Sequence, residues 1–160
     1  MLGALLKYRR KRLASGAGAA VFMAVAVTAA IWHPWRTQDA ADAGNPRLVA
    51  AGRAVYAEHC ASCHGKNLEG QPSWRERLPN GRLPAPPHDA SGHTWHHPDR
   101  QLFEITKNGV FGMVPFYQSD MPSFASSLSD EQIWAALAFI KNRWPEDIRQ
   151  RQERLNRSAK

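Results

Sequence analysis

The pentapeptide Cys60-Ala61-Ser62-Cys63-His64 contains both cysteines of the 160-residue chain. A disulfide between cysteines this close would close a tight loop and constrain little of the unfolded chain. A thioredoxin-like redox pair belongs to a βαβ pattern, which the surrounding sequence does not show. A structural zinc site needs two more good ligands at matching spacing, and there is no second cysteine pair. The histidine that follows the second cysteine therefore has to be considered with the pair.

That histidine completes Cys-x-x-Cys-His, the signature of covalent c-type haem attachment. Two thiols add across the two vinyl groups on one edge of the porphyrin. The two-residue gap lets both sulfurs reach that edge from a single helical turn. The next residue then directs its imidazole towards the iron. The motif predicts Cys60 and Cys63 as the anchors of one covalent haem c and His64 as an axial ligand of its iron.

The residues before the motif predict a helix with a clear start. Asn45 is expected to cap it, and Pro46 is expected to be its first residue. Gly52, with Tyr56 one turn later, would let another helix approach closely. The face that we expect to turn inward, at steps of three and four residues, comprises Leu48, Gly52, Val55, Tyr56 and His59.

Two more helices are expected nearer the C-terminus. Pro98 opens the first of them, and Gly109 ends it. A capping box of Ser129 and Gln132 opens the second, which stops before Pro145. We expect this last helix to pack on the helix before the motif. Its apolar stripe consists of Ile133, Leu137, Ile140 and Trp144, with Trp134 and Phe139 beside it.

The second axial ligand is expected from a methionine or histidine after the motif. Met121 precedes the last helix in Ser-Asp-Met-Pro-Ser-Phe, where Pro122 would fix the loop. A methionine thioether raises the haem potential, and Met/His ligation suits an electron carrier. We therefore predict Met121 as the distal ligand. The alternatives are Met113, a histidine of the preceding loop, and a simple packing role for Met121.

The Pro- and Gly-rich segment 65–97 could not form a stable core alone, so we expect it to wrap the haem. Its last part carries a tryptophan and a group of histidines, namely His88, His93, Trp95, His96 and His97. The simpler interpretation is a loop that lines the haem edge. A second metal site is the alternative, because imidazoles suit copper.

Three segments together resemble the bacterial single-haem, class I c-type cytochromes. They are Cys-Ala-Ser-Cys-His-Gly at residues 60–65, Met-Pro-Ser-Phe at residues 121–124, and the capped helix that starts near residue 128. The resemblance covers about residues 48–144. It implies an all-α cytochrome c fold, with three to five short helices around one covalent haem.

The same resemblance implies roles for further residues. His64 would be the proximal ligand, and Met121 the distal one. Gly52 and Tyr56 would pack against Phe139 where the first and last helices cross. The carbonyl of a proline, here Pro86 or Pro87, would orient the proximal histidine through its other ring nitrogen.

The net charge of +7 does not indicate nucleic-acid binding. Five of the 21 basic residues lie in segment 1–12, which has no acidic residue, so that segment has a charge of +5. The rest of the chain has 16 basic residues against 14 acidic ones. A DNA-binding domain would instead carry its basic face across the folded part.

Segment 13–35 is uncharged and predicts a transmembrane signal anchor. Residues 13–32 would span ~30 Å as a helix, about the thickness of a bilayer core. The basic residues before it favour the cytoplasmic side, and Trp32 and Trp35 suit the opposite interface. The alternative is a signal peptide cleaved near residue 29 or 30. Both interpretations export the rest of the chain.

These segments divide the chain into five parts. A cytoplasmic segment (1–12), the anchor (13–35) and a linker (36–46) precede a mono-haem domain (47–145), and a charged tail (146–160) follows it. The tail is expected to be a solvated helix or a frayed end, with docking as the alternative.

The predicted function is electron transfer without catalysis, in a haem domain held in the periplasm by a single-pass inner-membrane anchor. Electron donors would be a quinol-oxidising complex or a dehydrogenase. Acceptors would be a terminal oxidase or reductase. Two alternatives are kept: a haem peroxidase or reductase with an open distal site, and a copper-handling protein that uses the histidine-rich loop.

Overall fold

The computed structural model describes residues 40–110 and 118–159. The predicted cytoplasmic segment, the membrane anchor and Met113 lie outside the described residues. The described part is helical and contains no strand. Its helices are α1 (Pro46–His59), α2 (Ala61–His64), a 3₁₀ helix (Thr94–His96), α3 (Asp99–Asn108), α4 (Asp130–Asn142) and α5 (Glu146–Ser158).

None of the helices in these two ranges combines the length and the apolar character that crossing a membrane requires.

The three predicted helix starts are confirmed, with Pro98 directly before the first residue of α3 and side-chain caps at the other two. The side chain of Asn45 accepts hydrogen bonds from the backbone N–H groups of Arg47 and Leu48, at 3.1 and 3.2 Å. Ser129 and Gln132 form a reciprocal capping box at the start of α4. The two side-chain caps were predictable because each cap and the groups it satisfies lie within three residues of each other.

Helices α1 and α4 pack against each other at close range. A Cβ atom on Gly52 would lie 1.9 Å from the carbonyl oxygen of Ala135, so only glycine permits this approach. One turn later the rings of Tyr56 and Phe139 lie 5.3 Å apart, as expected. The predicted stripe of α4 is buried, and Trp134 stacks on Phe103 of α3 at 4.3 Å. This crossing forms the main apolar core.

We expect Gly52→Val to destabilise the protein strongly. The added side chain meets backbone rather than a flexible side-chain end, so α1 and α4 must separate. Overpacking of this kind costs about 1–3 kcal/mol or more. Chemical denaturation measures the loss. Ala51→Val is the control, because it puts the same residue at an exposed position next in the helix. Equal losses in the two variants would contradict the close packing.

The tail forms a helix, one of the two expected states, but this helix is docked on the domain rather than solvated. Residues 146–158 form α5, whose Gln152 is fully buried. The Gln152 side-chain amide donates hydrogen bonds to the Asp99 carboxylate at 2.7 Å and to the His97 carbonyl at 3.2 Å. The backbone N–H of Asp99 donates to Asn156 at 2.7 Å. The tail docks mainly through polar side chains, so hydrophobic periodicity does not reveal the contact.

Candidate haem site

One helical turn carries all three residues of the predicted attachment motif. Helix α1 ends at His59 and is capped by Cys60, whose N–H donates to the Tyr56 carbonyl at 3.0 Å. Helix α2 then begins, and the N–H groups of Cys63 and His64 both donate to the Cys60 carbonyl, at 3.2 and 2.9 Å. The local turn therefore brings Cys60, Cys63 and His64 together, as the spacing predicted.

The two thiols are not joined in a disulfide. Cys63 is exposed and Cys60 is half-buried. Burial, and secondly the neighbouring Cys63, raise the pKa of Cys60 to about 11. The thiolate is the form that attacks a disulfide or an oxidant. Cys60 is therefore a protonated thiol at neutral pH.

His64 is buried and oriented by a backbone carbonyl. Its Nδ1 lies 2.8 Å from the carbonyl oxygen of Pro86, and a carbonyl can only accept, so Nδ1 carries the proton. The other ring nitrogen, Nε2, then has its lone pair available for a metal. Burial lowers the pKa of His64 despite this hydrogen bond, which favours the neutral imidazole that ligates metals.

Pro86 belongs to a segment that several backbone contacts hold in place. The N–H of His88 donates to the carbonyl of Leu68 at 2.8 Å. Leu68 has a φ of +72°, a conformation that costs a non-glycine residue about 1–3 kcal/mol. A Cβ atom on Gly92 would lie 2.0 Å from the Pro87 carbonyl oxygen. The segment that carries this carbonyl is thus held by Leu68 on one side and packed closely against Gly92 on the other.

Two aromatic side chains stabilise the site in ways that the sequence did not reveal. The hydroxyl of Tyr56 donates to the carbonyl of Gly65, directly after the motif, at 2.9 Å. Burial raises the pKa of Tyr56, so the hydroxyl stays protonated and able to donate. Trp144, just after α4, donates from Nε1 to the carbonyl of His88 at 2.7 Å. Their burial was predicted; a buried Tyr or Trp usually finds a polar partner.

The four histidines of the loop have different surroundings. The ring of His88 stacks on His64, with centroids 3.9 Å apart. His93 is exposed and stacks on Trp74, while His96 is exposed and packs on Trp95. Within residues 40–110 and 118–159, no group of three or more His, Cys, Asp or Glu residues could hold a metal ion.

The pKa values of two of these histidines are lowered. Burial lowers the pKa of His88 well below its usual value, and the neighbouring His64 and His93 add to the shift. Partial burial of its imidazole ring, which stacks on Trp74, also lowers the pKa of His93, and His97, His96 and Arg75 contribute. Both rings are therefore neutral at neutral pH.

Met121 is half-buried in the loop between α3 and α4 and does not belong to the hydrophobic core of the described residues. The loop is fastened to α3, because the Ser123 hydroxyl donates to the Lys107 carbonyl at 2.7 Å. It is also tied to the segment before Pro86 by an ion pair between Asp120 and Arg82. Met121 is therefore held on a separate loop from the attachment motif.

The chemistry of these residues fits a covalent haem. Two unpaired thiols and an oriented, neutral imidazole lie on one turn, which is the donor set that attachment and axial ligation require. Such a haem would be held by Cys60, Cys63 and His64.

Comparison with known proteins gives one family. A search of curated proteins and a search of solved structures found no match. The family model described as "Cytochrome C oxidase, cbb3-type, subunit III" matches residues 47–140, more than half of the chain. Domains of this kind are c-type cytochromes, typical of haem c-based electron transfer with respiratory redox partners. The chain therefore belongs to the cbb3-type cytochrome c oxidase subunit III family and carries a c-type cytochrome domain.

Proposed function

We propose that the protein is a membrane-tethered periplasmic electron carrier with one covalent haem c, ligated by His64 and Met121. The observation that carries the proposal is the 2.8 Å contact between His64 Nδ1 and the Pro86 carbonyl, on the same turn as two unpaired thiols. In this contact Nδ1 donates its proton in a hydrogen bond to the protein, so the lone pair of Nε2 is available to bind the iron.

The residues have distinct tasks in this proposal. Cys60 and Cys63 would attach the haem, and His64 would ligate its iron. Met121 supplies a soft distal ligand from a loop that is fastened to α3. When bound, the haem supplies one-electron oxidation and reduction. If His64 and Met121 both bound the iron, it would have no open site for a peroxidase or reductase reaction.

The tether rests on the uncharged segment 13–35 and the basic segment before it. It would hold the haem domain at the periplasmic face of the inner membrane and raise its effective concentration near its partners. The donors would be a quinol-oxidising complex or a dehydrogenase, and the acceptors a terminal oxidase or reductase.

The axial ligands are tested by comparing Met121→Leu with Met113→Leu in the full-length holoprotein. The parent is expected to show the weak absorbance band near the red end of the visible spectrum that marks ligation of ferric haem by methionine. Met121→Leu should lose this band and have a lower potential, because the thioether raises the potential. Met113→Leu should keep both properties. A parent without the band, or loss of the band in Met113→Leu, would overturn the role of Met121.

The tether is tested by separating membrane and soluble fractions and staining both for covalent haem. We expect full-length protein in the salt-washed membrane fraction. A variant with residues 1–35 replaced by a cleavable signal peptide should appear in the soluble periplasmic fraction with an unchanged absorbance spectrum. A haem-stained protein of reduced mass in the soluble fraction would show that the segment is cleaved and would contradict the tether.

A further inference from the structure

We propose that His88 is a positioning residue for His64: its stacked imidazole fixes the plane of the His64 ring and lowers the redox potential of the site. The two ring centroids lie 3.9 Å apart, and the ring planes differ by 22°. This inference rests on the proposed function, because it takes His64 as an iron ligand.

The hydrogen bond to Pro86 does not fix the His64 ring by itself. It holds one ring atom, Nδ1, at 2.8 Å from one oxygen. The ring can still tilt about the line that joins these two atoms. A second flat ring at van der Waals distance opposes this tilt, because tilting would either separate the faces or press them together.

His88 is itself held at three points, so it can act as a rigid support. Its backbone N–H donates to Leu68 at 2.8 Å, and its carbonyl accepts from Trp144 at 2.7 Å. Its ring nitrogen Nδ1 lies 2.8 Å from the hydroxyl oxygen of Thr94, which is buried. The ring plane of His88 is therefore set by the loop, the end of α4 and the 3₁₀ helix together.

The stacked ring also affects the balance between the two oxidation states. Loss of an electron from the site leaves the ligating His64 ring poorer in electrons. The face of an aromatic ring is its electron-rich part and stabilises nearby positive charge. At 3.9 Å, the ring of His88 therefore favours the oxidised state. An aliphatic side chain would lack this effect and would give a higher potential.

The experiment uses His88→Leu and His88→Phe in the full-length holoprotein, with His96→Leu as the matched control. His96 is an exposed histidine eight residues away, on the same loop. Midpoint potentials are measured by redox titration, and electron paramagnetic resonance of the ferric state reports the axial ligand field.

His88→Leu should raise the midpoint potential, so that the ratio of oxidised to reduced protein at a fixed ambient potential falls about threefold. For a one-electron couple, a tenfold change in this ratio corresponds to 59 mV. It should also change the g values. His88→Phe, which restores a stacked ring, should return both readouts towards the parent. His96→Leu should leave both unchanged.

Equal potentials and g values in the parent and His88→Leu would overturn the inference. Equal shifts in His88→Leu and His88→Phe would also overturn it, because they would show that stacking is not responsible. If His88→Leu does not fold, Thr94→Val is the second test, because it removes only the hydrogen bond to the His88 ring. Unchanged g values in Thr94→Val would exclude a positioning role for His88. A parent spectrum that survives in His64→Ala would instead disprove the ligation itself.

Discussion

Replacing both Cys60 and Cys63 by alanine is expected to abolish covalent haem attachment. The two thiols lie on one turn and are not consumed in a disulfide, and the sequence contains no other cysteine. A covalent link either forms or does not, so the loss should be complete rather than graded. Haem staining after denaturing electrophoresis measures it directly, because only covalently bound haem remains on the chain.

Single variants separate the roles of the two thiols. Cys60→Ala and Cys63→Ala should each keep one thioether and bind less haem. The vinyl group that stays unsaturated should shift the absorbance bands of the reduced haem in alkaline pyridine to the red. Ser62→Ala is the matched control, since this exposed residue lies between the two cysteines and its change leaves both thiols in place. Stained haem on the double variant would contradict the assignment.

The sequence predicted the parts of this protein that depend on neighbouring residues. The attachment turn and the caps at Asn45 and Ser129 each involve groups within five residues, so the local pattern contains them. The stripe of α4 was predictable because helical periodicity marks a buried face. For the proline carbonyl, the resemblance left Pro86 and Pro87 as alternatives, and the structure identifies Pro86 as the partner of His64.

Other features depend on contacts between distant residues and leave little local signal. His88 looked like one of four equivalent histidines, and only the path of the loop puts its ring on His64, 24 residues earlier. Helix α5 looked solvated because its docking face carries Gln152 and Asn156 instead of an apolar stripe. Hydrogen-bond partners more than 50 residues away in sequence determine that contact, and no periodicity encodes them.

The docking of α5 depends on a buried ion pair. The Lys141 ammonium lies 2.9 and 2.7 Å from the two oxygens of Asp99 and 3.1 Å from Glu153. Its side chain is only 3% exposed. Gln152 donates to the same Asp99 carboxylate. One lysine near the end of α4 therefore binds Asp99 at the start of α3 and the half-exposed Glu153 of α5.

Lys141→Met is expected to lower the free energy of unfolding by about 3–5 kcal/mol, because it leaves the Asp99 carboxylate nearly buried without a counter-charge. Chemical denaturation of the holoprotein measures the change. Lys107→Met is the matched control: its ion pair with Asp130, at 2.7 Å, is partly exposed to solvent and should contribute less than about 1 kcal/mol. Adding Asp99→Asn to Lys141→Met removes the uncompensated charge and should recover much of the lost stability.

Equal effects of the two lysine substitutions would contradict a structural role for the buried pair. If the double variant were no more stable than Lys141→Met alone, the loss would come from packing around the lysine stem rather than from the stranded carboxylate.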